Sequence, residues 1–315
     1  MDEDILRSFF SDKNIYLSMT KDGFICLKDL IAHGKEIDTI LTLPFSKAAN
    51  VSDYQDFSSM AKKSHISLYY IEKINVLLPI LQKYRPHIII VNGWSQLLSL
   101  PLIKTAKHGC VGLHPALLPK NRGRAPIAWH FINQEKYGGV TLFYLDAGCD
   151  SGPIIDQEKF KILDSDNASS FYKKMTLLAS KLLLNNFDDI VNNRAKATKQ
   201  NNSQATYLLV RRPKHSRINF NYPALSIQNL IRAVTDIYPL ANFSYNSQTY
   251  YVKDSEILKN APQFSGFPGQ IAKVTNKGLW ILTGSRIICL KKIINSQNKL
   301  VQVIKQFKTG DILNE

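Results

Sequence analysis

Short apolar segments alternate with amphipathic ones through about the first 205 residues, and this alternation constrains the fold more than any other feature of the chain. Most of the short segments are apolar at successive positions, which is typical of strands covered on both faces. The predicted strands are Ile15–Met19, Ile37–Leu43, Ile66–Tyr70, Ile88–Val91, Gly109–Leu113, Thr141–Tyr144 and Ile154–Phe160. The predicted helices are Cys26–His33, Tyr54–Lys63, Lys73–Tyr84, Gln96–Ile103, Pro126–Asn133 and Ser169–Asn186. Strands and helices in this order predict an α/β domain, with a Rossmann-like open parallel sheet.

A change of composition indicates a second, smaller domain. Residues 192–205 are almost entirely polar, as linkers are. Beyond them we predict a helix at Ser226–Thr235 and then short β segments separated by Gly, Asn or Lys turns. These segments are Thr249–Val252, Gly269–Val274, Gly278–Thr283 and Ser285–Ile293. The prediction is an α/β domain over residues 1–191, a linker over 192–205 and a mainly β, OB-like domain over 206–315.

Composition predicts a cytoplasmic globular protein. Apolar residues make up 44% of the chain and charged residues 21%, no apolar run approaches the length of a membrane span, and the acidic N-terminus does not predict a secretory signal. The four cysteines lack the spacing of metal or disulfide sites, so we expect free thiols and no metal. Cys149 lies next to Asp150 in a glycine-flanked loop. It is either a small residue that fills space in the loop or a nucleophile.

The net charge of +15 predicts an anionic partner. Nucleic acid, a nucleotide-linked substrate and polyglutamylated folate all satisfy it. A compositional bias toward Lys is the alternative that needs no partner.

One string of residues carries recognisable chemistry. Gly112-Leu-His-Pro-Ala-Leu-Leu-Pro119 follows the fifth predicted strand, Lys120-Asn-Arg-Gly-Arg124 continues it, and Leu145-Asp-Ala-Gly-Cys-Asp-Ser-Gly152 forms a glycine-flanked loop. In open parallel sheets, ligands bind beyond the carboxyl ends of the strands, where His114 is expected. Histidine exchanges a proton near neutral pH and a neighbouring carboxylate can orient it, whereas a packed core histidine and an Asp150 that caps its own turn are the structural alternatives.

This string resembles the signature of the folate-dependent formyltransferases, which move a formyl group from 10-formyltetrahydrofolate to an amine. Glycinamide ribonucleotide, methionyl-tRNA and sugar-nucleotide N-formyltransferases belong to this family. The resemblance implies the formyltransferase fold, 10-formyltetrahydrofolate as co-substrate, and His114 and Asp150 as catalytic residues. It extends into the second domain, which is similar to the C-terminal domain of the methionyl-tRNA and sugar-nucleotide enzymes at Arg211-Arg-Pro213, Ile231-Arg-Ala233, Tyr238-Pro239 and Gly266-Phe-Pro-Gly-Gln270.

Gly112 departs from the family pattern. The family usually has an Asn at this position, which donates its amide to the formyl oxygen, and glycine has no side chain to do so. Removing such a donor typically costs about 10²–10³ in rate. Three interpretations of Gly112 are open. A backbone N–H or a water replaces the amide, or another asparagine such as Asn92 or Asn121 replaces it. In the third, the protein binds its ligands without catalysis.

Two loops are expected to bind the folate. By resemblance, Asn92–Leu98 wraps the pterin, with Trp94, Ser95, Leu97 and Leu98 as its lining, and the loop Tyr144–Asp150, including Tyr144 and Asp146, faces the pterin from the other side. Ordinary core packing is the alternative for Trp94. The sequence has neither a Walker A motif nor a dinucleotide fingerprint.

The segment after His114 supplies three cations and a polar side chain. Lys120, Asn121, Arg122 and Arg124 suit a phosphate group, because arginine makes planar bidentate contacts with phosphate oxygens. A solvated loop is the alternative.

The connection after the second strand bears on the acceptor. Methionyl-tRNA formyltransferases have a basic insertion there that grips the acceptor stem, and this chain has only Lys47 between Leu43 and Tyr54. The resemblance is therefore greatest to the sugar-nucleotide N-formyltransferases, and we expect an amino sugar on a UDP or dTDP carrier as the acceptor. Methionyl-tRNA is the second choice, a non-catalytic nucleotide- or RNA-binding protein on the same scaffold is the third, and no membrane partner is expected. A homodimer is compatible with each.

Overall fold

The computed structural model describes residues 3–314. The strands are β1 (Asn14–Leu17), β2 (Thr39–Thr42), β3 (Ser67–Tyr70), β4 (Ile88–Val91), β5 (Cys110–His114), β6 (Arg122–Gly123), β7 (Tyr137–Tyr144), β8 (Ile154–Lys161), β9 (Tyr207–Leu208), β10 (Ala241–Tyr245), β11 (Gln248–Leu258), β12 (Ile271–Thr275), β13 (Gly278–Leu282) and β14 (Ile287–Ile294). The helices are α1 (Glu3–Phe10), α2 (Lys21–Ala32), α3 (Ser58–Lys63), α4 (Leu78–Tyr84), α5 (Leu100–Ile103), α6 (Pro126–Ile132), α7 (Ala168–Val191), α8 (Ala224–Ala233) and α9 (Val303–Gln306).

The chain forms two compact units. The first contains the residues up to Pro126, Tyr137–Lys161 and Tyr172–Leu208. The second contains Ile127–Lys136, Ile162–Phe171 and the residues from Leu209 onward. The domain limits at residues 191 and 205 stay predictions.

A seven-stranded sheet in the order β3-β2-β1-β4-β5-β7-β8 forms the first unit. The strands β1 to β5 are parallel, as predicted, whereas β7 and β8 add to the edge in antiparallel orientation. The Rossmann-like parallel sheet is therefore confirmed for β1 to β5, and the antiparallel pair at this edge makes the whole sheet mixed. A short loop joins β7 to β8, and only antiparallel neighbours can be joined without a long crossover.

Apolar residues on both faces explain the short central strands. All four residues of β1 and all four of β2 are buried, and β4 is an unbroken Ile-Ile-Ile-Val run. On one face these strands contribute to a core cluster that contains Leu17, Leu41 and Ile89 together with Phe10 of α1. Each such side chain stabilises the fold by about 1.5–3 kcal/mol when fully buried.

The predicted helices differ from the observed ones mainly at their ends, whereas α1 and α9 were not predicted. Residues 96–99 are a loop, because Gln96 uses its side chain to bind the backbone of Glu72 and Ile74. The predicted helix at Lys73–Tyr84 is a 3-10 turn followed by α4. Within residues 3–314 no helix, including the 24-residue α7, is long and apolar enough to cross a membrane.

A five-stranded antiparallel sheet in the order β10-β11-β14-β13-β12 forms the second unit, as the OB-like prediction requires. The sequence prediction omitted β10, which pairs with β11 from Ala241 to Tyr245. An aromatic cluster packs against these two strands. In it, Phe243 of β10 stacks on Tyr250 of β11, and both rings contact Phe307.

Candidate active site

His114 ends β5 in the middle of the first sheet. Its imidazole is buried, and Nε2 lies 2.7 Å from the backbone oxygen of Asn121. A carbonyl oxygen only accepts, so Nε2 carries a hydrogen and Nδ1 is the ring nitrogen that can take up a further proton. That Nδ1 lies 3.7 Å from Oδ2 of Asp150. The pair is therefore arranged so that a proton on Nδ1 meets a carboxylate.

Asp150 lies in the loop between β7 and β8 with a left-handed backbone (φ 50°). Its Oδ2 accepts a hydrogen bond from the backbone N–H of Gly123 at 2.8 Å. Its carbonyl oxygen accepts one from Nε2 of Gln200 at 2.9 Å. The carboxylate is therefore held by a backbone group outside its own loop, which the turn-capping alternative does not require.

Cys149 lies beside Asp150 and contacts its carboxylate through Sγ at 3.7 Å. Burial raises the pKa of the Cys149 thiol, and the neighbouring carboxylate raises it further. A thiol held in the protonated form is a poor nucleophile. The geometry therefore favours the interpretation of Cys149 as loop filler.

The two candidate substitutes for the family amide, Asn92 and Asn121, lie in different surroundings. Asn92 is buried and donates through Nδ2 to the hydroxyl of Tyr16 at 3.1 Å. This bond commits it to the packing of β1 against β4. Asn121 is also buried, but its backbone contacts His114 directly. Of the two, Asn121 is the one that the fold brings to the histidine.

The predicted folate loop after β4 is apolar but only partly open. Trp94 and Leu98 are half-buried and pack against the core cluster of the first unit, whereas Leu97 is 78% exposed. The backbone oxygen of Ser95 accepts a hydrogen bond from Arg124 at 2.6 Å. Leu97 is thus the side chain of this loop that faces solvent most fully, and the packing of Trp94 is what the core alternative predicts.

The loop after β7 stabilises itself through Asp146. Its Oδ1 accepts hydrogen bonds from the backbone of Gly148 and the hydroxyl of Ser151, at 3.0 and 2.7 Å. Tyr144 is half-buried, and burial raises the pKa of its hydroxyl. Their predicted contacts with folate stay predictions.

The basic segment after His114 divides into two kinds of cation. Lys120 and Arg124 are exposed, as a contact with a phosphate requires. Arg122 is 1% exposed, and its guanidinium binds neutral groups of residues 200–207. The geometry gives no support to the predicted phosphate contact of Arg122 and indicates an internal role.

Three polar residues of the site were not singled out in the sequence. Gln200 binds the backbone of the Asp150 loop, and Thr206 accepts the Asn121 N–H through Oγ1 at 2.8 Å. Thr141, opposite His114 on β7, binds the backbone at Ala116 and Leu118. Gln200 lies within the polar run predicted as a linker and Thr206 directly follows it, so composition gave no signal for either residue.

Comparison with known proteins identifies relatives of both units. The formyl transferase family matches residues 72–186, and the C-terminal domain of formyl transferases matches residues 211–310. The methionyl-tRNA formyltransferase of Clostridium tetani is 34% identical over 213 residues, 68% of each chain. The methionyl-tRNA formyltransferase of Alkaliphilus oremlandii is 29% identical over 309 residues, 96% of this chain and 98% of its own.

A solved structure shares the fold. The N-formyltransferase from Helicobacter canadensis, in complex with folinic acid and dTDP-3-aminofucose, superposes with a TM-score of 0.67 at 20% identity. The match covers 89% of this chain and 98% of that one.

Proposed function

The chain belongs to the formyl transferase family, and we propose that its acceptor is the amine of a nucleotide-linked amino sugar. The coarser activity follows from the family: the chain is a folate-dependent N-formyltransferase with 10-formyltetrahydrofolate as co-substrate. The co-substrate supplies the activated formyl group. The amine that receives the formyl group is the part of the reaction that the proposal adds.

The residues near β4 and β5 fit a folate donor. Leu97 is an exposed apolar side chain at the carboxyl end of the sheet, where open α/β sheets bind ligands. The adjoining Ser95 backbone is tied to the basic segment by Arg124. A flat pterin needs apolar walls and backbone groups, and this loop offers both.

His114 and Asp150 can manage the proton of the reaction. An attacking amine must lose a proton as the new C–N bond forms, and N10 of the departing tetrahydrofolate must gain one as its bond to the formyl carbon breaks. Nδ1 of His114 can take up and return this proton, because Nε2–H of the same ring is already bound. The carboxylate of Asp150, 3.7 Å away, stabilises the imidazolium that results. General acid–base catalysis of this kind contributes about 10²–10⁴-fold.

The connection from β2 to α3 carries the acceptor proposal. It contains a 3-10 turn at Phe45–Asn50 and a single basic residue, Lys47. Nζ of Lys47 lies 3.3 Å from the carboxylate of Glu72, so even this charge is paired. A connection whose one basic residue is paired, and which also contains Asp53 and Asp56, is unsuited to gripping the phosphates of a tRNA stem.

The exposed cations beside His114 match a smaller anion. Lys120 and Arg124 face solvent in the same segment, which suits one diphosphate. The Helicobacter canadensis enzyme, whose fold this chain shares, was solved with a dTDP-linked amino sugar. That likeness supports a ligand of the same class.

Methionyl-tRNA is the second candidate because of two observations. The relatives from Clostridium tetani and Alkaliphilus oremlandii are named as methionyl-tRNA formyltransferases. Residues 209–315 contain fifteen Lys or Arg against five Asp or Glu and so carry most of the net charge of +15. A basic surface of this size attracts nucleic acid.

A paired formylation assay separates the candidates. The protein is incubated with 10-formyltetrahydrofolate and either UDP- and dTDP-linked amino sugars or initiator methionyl-tRNA, and N-formyl product is measured by mass spectrometry. His114→Ala protein provides the background. We expect product from a nucleotide sugar. Product from methionyl-tRNA alone would contradict the proposal, and binding of RNA without product from either acceptor would favour a non-catalytic role.

A further inference from the structure

A three-residue segment joins the two candidate catalytic side chains. The backbone oxygen of Asn121 accepts from Nε2 of His114 at 2.7 Å, and the backbone N–H of Gly123 donates to Oδ2 of Asp150 at 2.8 Å. The residue between them is Arg122. Whatever fixes the backbone at Arg122 therefore fixes both groups relative to each other.

Arg122 anchors this segment from inside the fold. Its Nε and Nη2 donate to Oε1 of Gln200 at 3.1 and 2.6 Å. Nη2 also donates to Oδ1 of Asn202 at 2.9 Å, and Nη1 donates to the hydroxyl of Tyr207 at 3.2 Å. A guanidinium that is 1% exposed is costly to bury, so these bonds are needed to hold it. They tie the segment to residues 200–207.

Gln200 continues the connection to the Asp150 loop. Gln200 is buried, with 6% of its surface exposed. Its Nε2 donates to the backbone oxygens of Asp150 and Gly152 at 2.9 and 2.7 Å. One amide thus accepts from Arg122 and donates to the loop. Glutamine supplies an acceptor and two donors on one group, which a carboxylate cannot do.

We propose that Arg122 and Gln200 are positioning residues that clamp the Asn121–Gly123 segment to the Asp150 loop and thereby set the separation of His114 and Asp150. The clamp rests on the roles proposed above for those two side chains. Its arms are separable, because Arg122 acts on the segment and the Gln200 amide hydrogens act on the loop. Displacement of a catalytic group by about 1 Å can lower turnover by roughly 10²-fold.

Three clamp variants and one matched control test this proposal. Gln200→Glu keeps an acceptor for Arg122 but removes both donors to the loop, Gln200→Ala removes both arms, and Arg122→Met removes the anchor. The control is Arg232→Met. Arg232 is half-buried in the second unit and makes three hydrogen bonds, against four for Arg122, to Asp166 O, Leu163 O and Asn229 Oδ1.

Two readouts are used, and one of them needs no acceptor. The first is kcat and KM for 10-formyltetrahydrofolate with the acceptor that wild type formylates. The second is the NMR resonance of the Nε2–H proton of His114, which is assigned by its absence from the spectrum of His114→Gln. Slow exchange of this proton with water reports its hydrogen bond to the backbone oxygen of Asn121. If wild type formylates no amino sugar, the acceptor proposal fails while the resonance still decides the clamp.

We expect kcat to fall about tenfold or more in all three clamp variants, with the folate KM within about threefold. The His114 resonance should be lost by exchange in Gln200→Ala and Arg122→Met and retained in Arg232→Met. Wild-type kcat and a protected resonance in Gln200→Ala would overturn the clamp. The clamp would also be overturned if Arg232→Met lost as much kcat as the clamp variants when its thermal midpoint fell by the same amount. Gln200→Ala decides alone if Arg122→Met does not fold.

Discussion

Leu145 occupies the space into which a side chain at Gly112 would project. A Cβ atom on Gly112 would lie 2.8 Å from Cδ2 of Leu145 and 3.2 Å from Cε1 of Phe143. The backbone of Gly112 is not in the left-handed region, so its conformation does not require glycine. Space, and not backbone conformation, is therefore what a side chain at this position would need, and the end of the Leu145 side chain is the first group that would have to move.

Gly112→Asn should consequently raise kcat fully only when it is combined with Leu145→Ala. Alone, the larger side chain overpacks the site and lowers the free energy of unfolding by about 1–3 kcal/mol. With the leucine truncated, the amide gains room and can donate to the developing oxyanion, which is worth about 10²–10³ in rate. Thermal midpoints and kcat of the two single variants and the double variant measure this coupling.

Leu145→Ala alone is the control for the double variant. It removes apolar packing without adding a donor, so its kcat should not rise. Strictly additive effects of the two substitutions on stability would show that Leu145 is not what excludes the side chain.

His114→Ala and Asp150→Asn should each reduce formyl transfer by about 10²-fold or more while the protein stays folded. The ring provides the free proton acceptor, and the carboxylate stabilises the charge that the ring then carries. Steady-state turnover and a thermal melt of each variant test this. Turnover of His114→Ala within tenfold of wild type would rule out the catalytic assignment.

The sequence predicted the elements whose burial pattern is continuous. β4 was predicted residue for residue, and β5 within one residue, because short parallel strands are apolar on both faces. β10 was missed because it is only five residues long and turn residues flank it, although its Ala-Asn-Phe-Ser-Tyr pattern alternates buried and partly exposed side chains as a strand does. The antiparallel edge could not be read from β7 and β8 alone, because strand direction depends on the path of the connection.

The site was predictable only where a residue type carries chemistry. His114 and Asp150 were singled out by their motif, and the fold places their side chains 3.7 Å apart. The sequence predicts a phosphate contact for Arg122 because arginine makes planar bidentate contacts with phosphate oxygens, but the side chain is buried. Its partner Gln200 lies 78 positions away in a polar run, and only the tertiary structure brings the two together.

The acid pair around Tyr172 predicts a pH effect on stability. The Tyr172 hydroxyl lies 2.8 Å from Oδ2 of Asp53 and 3.1 Å from Oδ1 of Asp22, but its single hydrogen can satisfy only one carboxylate. Burial, and then the charge of Asp22, raise the pKa of Asp53. The folded state thus favours protonated Asp53. Its contribution to stability is full below the unfolded pKa of about 3.9 and is lost as pH rises through the folded pKa.

Asp53→Asn should therefore raise the thermal midpoint at neutral pH, and this gain should vanish near about pH 3.5. Asp56→Asn is a control of opposite sign, because hydrogen bonds from Ser58 lower the pKa of Asp56 and its contribution is lost as pH falls. Melting curves across this range compare both with wild type. A midpoint of Asp53→Asn that is lowered equally at both pH values would show that the charge of Asp53 is not destabilising.

Arg124→Ala should raise KM for the acceptor by roughly tenfold or more and change kcat little. The exposed guanidinium is proposed to contact a phosphate, and hydrogen bonds to charged groups are worth about 1.5–3 kcal/mol. Arg194→Ala is the matched control, since Arg194 is also exposed but pairs with Asp189 at the end of α7. An unchanged acceptor KM with a large fall in kcat would place Arg124 elsewhere in the reaction.

The salt dependence of acceptor binding distinguishes a diphosphate from a polyanion. A protein that contacts six to ten phosphates of a nucleic acid loses about 10³–10⁵ in affinity between roughly 50 and 200 mM salt, because each contact releases condensed counterions. Lys120 and Arg124 can engage only one diphosphate, so binding of a nucleotide sugar should weaken far less over the same range. Titrations of both ligands at the two salt concentrations measure the slopes. Steep binding of initiator methionyl-tRNA that is also followed by formylation would make the basic C-terminal residues, and not the segment after His114, the main acceptor contact.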